Sequence, residues 1–255
     1  MPSDSSTGAA SVGDETVTVA ISQDVQTVVW RLLIAVGAGS IIGAVVGGAG
    51  GRLAMFVLRL ASDEAVLGLT TDDGFEIGRF TTATLFLVTV CAGLGGATGA
   101  AYFVVRSVLP RRGRSVLWAT VVGLFTGADI IKPQGLDFTL LEPKSFAVAS
   151  FVLLPGVAAL LIALVLERLL ALEPWANRPL TIVLALGALP LIPVLPALLL
   201  LFGAALFPRR RLRLNGAIVA LGRVAVPLVL VGLAVRSGVD LWRDAGDVLR
   251  DAFPR

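Results

Sequence analysis

Long uncharged apolar runs, separated by short charged stretches, set the pattern of this chain. The first run goes from Leu32 to Gly51, and its apolar spacing continues through Arg52 to Leu60. The second runs from Phe80 to Val105. The third, Ser115 to Ile131, is short and contains Asp129. The fourth covers Ser145 to Leu166. The fifth, Pro179 to Pro208, holds Pro190, Pro193 and Pro196, and the sixth, Leu214 to Val235, contains Arg223. A helix needs ~20 apolar residues to cross a ~30 Å hydrocarbon layer. Nothing alternates with the two-residue period of a membrane barrel, and backbone in lipid must satisfy its own hydrogen bonds, so the runs are helices. The pattern predicts an all-α fold: a polytopic transmembrane bundle of about six spans over residues 27–236. A polar, disordered leader at 1–26 precedes it and an amphipathic tail at 237–255 follows. The fifth run either crosses once with a proline kink or turns back as a re-entrant hairpin. A single crossing is expected, because each half is too short to span.

Composition closes off other classes. The chain is 56% hydrophobic and 15% charged, against ~25% charged in soluble domains. So much apolar side chain needs lipid to face. The net charge of +3 reads as a membrane-topology signal, and no nucleic-acid partner is expected. With no histidine, Ser–His and Cys–His catalysis and His-ligated metals are excluded. The one cysteine, Cys91, allows no intrachain disulfide and reads as a small apolar filler. No cofactor is implied.

The loop with Arg106, Arg111, Arg112 and Arg114 has no acid and marks the cytoplasmic side. The acid-rich stretches Asp63–Glu76 and Asp129–Lys144 fit the outside. Alternation then puts both termini in the cytoplasm, with Trp30, Trp118, Trp175 and Trp242 at the inner interface. Arg209, Arg210, Arg211 and Arg213 disagree, because six spans place them outside. In the tail, Val239, Trp242, Leu249, Ala252 and Phe253 can share an apolar face.

Gly39, Gly43, Gly47 and Gly51 recur at four-residue steps, as do Gly95 and Gly99. Such a glycine zipper lies on one helix face and lets another backbone come close. The first run packing on the second is the expected use; a homo-oligomer contact or a glycine-lined path are the alternatives. Arg223, nine residues into the sixth run, falls ~14 Å deep. A buried arginine there needs a partner, and Asp129 and Glu167 complete a candidate intramembrane charge cluster with it. Otherwise Arg223 snorkels to the interface. Asp72, Asp73 and Glu76 around Gly74 read as a solvated turn rather than a metal site.

The stretch Gly50-Gly-Arg-Leu-Ala-Met55, taken with Asp137-Phe-Thr-Leu-Leu-Glu-Pro143, resembles a family of uncharacterised bacterial polytopic membrane proteins. The resemblance covers most of residues 30–240 and implies an integral protein of the bacterial cytoplasmic membrane, with no catalytic residue assigned. Two functions stay open: a non-catalytic scaffold or accessory subunit, whose partners are lipid, a second copy or another membrane protein, and a small-solute transporter or channel using an intramembrane Arg/Asp pair. A membrane-embedded enzyme ranks below both, for want of histidine or a complete carboxylate motif.

Overall fold

A computed structural model describes residues 26–62, 82–133, 138, 142–171, 184, 187 and 216–252. Five long helices carry the fold: α1 (Gln26–Ala61), α2 (Thr82–Val105), α3 (Arg114–Ile130), α4 (Lys144–Ala171) and α5 (Gly216–Ala252). There is no strand among the described residues. α1, α2, α4 and the Val224–Arg250 part of α5 are long and apolar enough to cross a membrane. α3 has 17 residues and rises ~25 Å, just short of the hydrocarbon layer.

The helices meet where the sequence supplies the least side chain. α1 and α2 run antiparallel, and a methyl added to Gly95 would come within 2.7 Å of Gly43 Cα. One on Gly39 would lie 3.2 Å from Gly96 Cα, and one on Gly99 would lie 3.4 Å from Gly39 Cα. Gly47 faces the Cys91 side chain, and Gly48 faces Val88. Gly51 has nothing within 4 Å and lies outside the seam. Along this face α1 widens to a π-helix over Gly43–Ala49, where glycine is dense and backbone is poorly held in a tight α-turn. Helix association in lipid relies on such van der Waals contact, because apolar side chains gain nothing by leaving hydrocarbon tails.

A second seam joins α3 to α4. Gly123 packs on Gly156, whose Cα would lie 3.1 Å from an added methyl, and Gly127 packs on Val152. Ser115, Ala119, Gly123 and Gly127 form a strict four-residue row of small residues. The core beside the two seams holds Ile34, Ala38, Tyr102, Trp118, Ile162 and Leu166. Leu184, from the fifth apolar run, joins it, and its backbone closes on Gly37 of α1.

The end carrying Arg106, Arg111, Arg112 and Arg114 is the basic end. At the far end Leu58, Ile131, Phe138, Ala147 and Val248 form one cluster. α5 passes Leu230 beside the main core and Gly238 beside Leu124, then sets Val248 in the far cluster. It therefore runs the same way as α3, away from the basic end. Six successive crossings require the opposite direction, so α5 does not complete a sixth alternating span. The start of α1 and the end of α5 lie at opposite ends of the bundle. The rest of the fifth run and Arg209–Arg213 fall outside the described residues.

α5 is helical without a break through residue 237. The buried face there is Ser237, Leu241 and Val248, whereas Val239 is exposed and Trp242 is 82% exposed. Of the expected apolar face, Val239 and Trp242 are thus turned away from the bundle and Leu249 is half-buried, because close packing on α3 favours small Ser237 and Gly238 over the larger side chains. The tryptophans also divide: Trp118 is buried, Trp30 is exposed at the basic end and Trp242 is on the far half of α5. Trp175, with the leader short of Gln26, lies outside the described residues.

Replacing Gly95 with Val is expected to drive a branched side chain into α1 backbone and destabilise the protein by about 3 kcal/mol or more. Gly51→Ala should leave it within about 0.5 kcal/mol of wild type. Thermal unfolding in detergent, followed by size-exclusion, measures both.

Candidate functional site

Among the described residues, a set of mostly buried polar groups sits at the basic end, between the close of α2, the start of α3 and the close of α4. α2 leaves its last turn with Arg106 N–H donating to the Tyr102 carbonyl at 2.8 Å. The chain then turns at Gly113, whose φ of 78° suits a residue without Cβ, and enters α3 at Arg114. This hairpin sets Tyr102, Arg106, Arg114 and Trp118 against Glu167 of α4.

Glu167 takes two partners. Arg114 forms an ion pair with its Oε2, and the Tyr102 hydroxyl donates to Oε1 at 2.9 Å. Arg114 also donates to the Arg106 carbonyl at 3.5 Å. The Tyr102 ring leans on Trp118, with centroids 5.9 Å apart and planes at 50°. Both partners of the ion pair are mostly buried, so the attraction is poorly screened by water. One carboxylate thereby locks three helices together. Two donors of the hairpin stay unanswered: Arg106 Nη1 and Trp118 Nε1 are buried without an acceptor.

Of the candidate charge cluster, the two acids lie far apart. Glu167 is committed to Arg114, 53 residues away in sequence. Asp129 is exposed near the other end of α3, ~22 Å along the axis from Arg114. No single arginine can pair with both acids. The backbone of Arg223 lies in the first turns of α5, and its side chain is outside the described residues. Asp72, Asp73 and Glu76 are outside them too. Among the described residues no three His, Cys, Asp or Glu come together to hold a metal.

Sequence reasoning missed Tyr102 and the pairing of Arg114 with Glu167. The signal for the first was present: it is the chain's single tyrosine, inside an apolar run, and a buried phenol needs a polar partner. Arg114 was counted only as a topology marker. At the far end, the Phe138 ring packs on Phe151 with centroids 5.4 Å apart. Glu142 N–H donates to Ser62 Oγ at 2.9 Å, and that hydroxyl donates to the Leu58 carbonyl at 2.8 Å. Phe138 and Glu142 thus tie the end of α1 to the start of α4.

Compared with protein-family models, curated proteins and solved structures, the chain matches none.

Glu167→Gln should remove the charge that Arg114 answers and lower stability by about 1.5–3 kcal/mol. Asp129→Asn should change it by less than about 0.5 kcal/mol. Detergent melting curves of the two variants test this ranking, and equal losses would contradict it.

Proposed function

We infer that this chain acts by packing, as a non-catalytic scaffold or accessory subunit of the bacterial cytoplasmic membrane. The observation that carries the reading is the outward face of α5. With Ser237, Leu241 and Val248 against the bundle, one outer flank of the helix presents Arg236, Asp240, Arg243, Asp247 and Arg250. They follow alternating four- and three-residue steps with alternating sign, and all are exposed. Gly238 approaches Leu124, ~15 Å along α3 from Arg114. Arg236 and Asp240 are therefore level with the middle of the bundle. A charge turned to lipid at that depth costs about 2.5–3.5 kcal/mol on the insertion scale.

Neighbouring charges offset part of that cost, with Arg236 Nε 3.9 Å from Asp240 and Arg250 Nη1 3.7 Å from Asp247. A second membrane helix bearing polar side chains offsets the rest, and interhelical polar contacts in lipid contribute about 0.6–2 kcal/mol each. Next along α5, Val224, Leu228, Val229, Val231 and Val235 are exposed and apolar, as suits lipid or a partner helix. The positive-inside rule sets the basic end in the cytoplasm. On that reading α1 starts inside and α5 ends outside, and the region between α4 and α5 begins and ends inside, in keeping with the re-entrant form of the fifth run. Membership of the bacterial polytopic family rests on the two motifs at 50–55 and 137–143.

A small-solute transporter is the second reading. The π-helical stretch of α1 favours it, because such turns recur at functional sites. Ser40, just before the stretch, is buried with its hydroxyl unpaired.

Extraction of native membranes in mild detergent should give an assembly heavier than the 26.5 kDa chain. The double variant Asp240→Leu, Arg243→Leu should reduce it to the single chain without lowering its melting temperature. A wild-type protein that is already a single chain, and a variant unchanged in mass, would contradict the subunit reading. Solute flux in proteoliposomes of the purified single chain would favour transport.

A further inference from the structure

We propose that the basic end of the bundle holds a phosphate group, with Arg106 as the residue that reads it. Arg31, Arg106, Arg111, Arg112, Arg114 and Arg168 gather at this end, and Glu167 is the one described acid among them. That acid is spent on Arg114 and Tyr102. The Arg106 guanidinium is left with Nη1 buried and unpaired, within a residue whose carbonyl and N–H are both engaged. A guanidinium cannot shed its proton to escape burial. Leaving a charged donor without an acceptor costs more than leaving a neutral one.

The second observation concerns Trp118, which is 7% exposed and has Nε1 buried without a partner. Both unanswered donors belong to the same α2–α3 hairpin: Arg106 follows Tyr102 by one helical turn and Trp118 packs on the Tyr102 ring. A missing group must therefore accept hydrogen bonds and carry negative charge. Phosphate oxygens do both and match the guanidinium fork. This end of a membrane bundle is also where headgroup phosphates lie, and Arg111 and Arg112 are exposed beside it to gather anions. A lipid phosphodiester and a soluble phosphate share this chemistry. The site is independent of whatever covers α5.

Purified full-length protein in neutral detergent provides the test, with melting followed against three probes: short-chain phosphatidylglycerol, the matching short-chain diacylglycerol and inorganic phosphate. Phosphatidylglycerol should raise Tm by about 3 °C or more at saturation, and diacylglycerol should not. A response to inorganic phosphate equal to that of the lipid assigns the soluble source, and a response to the lipid alone assigns a headgroup. Arg106→Gln should weaken the effect at least about tenfold, whereas Arg111→Gln should retain most of it. If Arg106→Gln does not fold, Arg106→Lys keeps the charge and loses the fork, and native mass spectrometry should find less lipid on it than on wild type. An equal rise with diacylglycerol, an undiminished response in the Arg106 variants, or no response to any probe would overturn the proposal.

Discussion

Everything in this fold depends on two helix pairs coming closer than side chains normally allow. Gly39, Gly43 and Gly48 of α1 meet Gly95 and Val88 of α2, and Gly123 and Gly127 of α3 meet Gly156 and Val152 of α4. In water such faces would contribute little, since glycine buries almost no apolar surface. In lipid the balance changes, because dispersion contact between backbones is what distinguishes helix from solvent. Glycine then supplies proximity, and the larger residues beside the seams, Ile34, Tyr102, Trp118 and Ile162, fill the space between the two pairs.

The two ends of the bundle are closed by different means. At the far end, apolar side chains from four helices and Phe138 gather, and Ser62 and Glu142 exchange hydrogen bonds. At the basic end, a carboxylate binds a phenol and a guanidinium drawn from two other helices. Among the described residues, the basic end retains buried donors with nothing to bind, Arg106 Nη1 and Trp118 Nε1. A binding role is better supported there than at the far end, where Ser62 and Glu142 satisfy one another.

Much of this was legible along the chain. Apolar runs of about the right length marked α1, α2, α4 and the first half of α5, and glycine spacing picked out Gly39, Gly43, Gly95 and Gly99. Gly51 obeys the same spacing and meets nothing, because α1 changes its turn over Gly43–Ala49 and rotates later residues off the face. The second seam escaped because the row Ser115, Ala119, Gly123, Gly127 mixes small residue types, and counting glycine alone hides it. The partner of Glu167 was not legible, since no local spacing links residues 114 and 167. The direction of α5 was lost for a related reason: arginines 209–213 contradicted simple alternation, and only the contacts of Leu230, Gly238 and Val248 decide it.

α1 and α2 of one chain meet backbone to backbone, and the native Cys91 offers a direct measurement of that contact. A methyl on Gly47 would lie 3.3 Å from Cys91 Cβ, close to the ~3.5–4.5 Å separation of bonded cysteines. Gly47→Cys, oxidised in native membranes, should cross-link to Cys91 within a single chain, and Gly51→Cys should not. Free thiols in both variants, or a disulfide that joins two chains, would contradict the seam on which the fold rests.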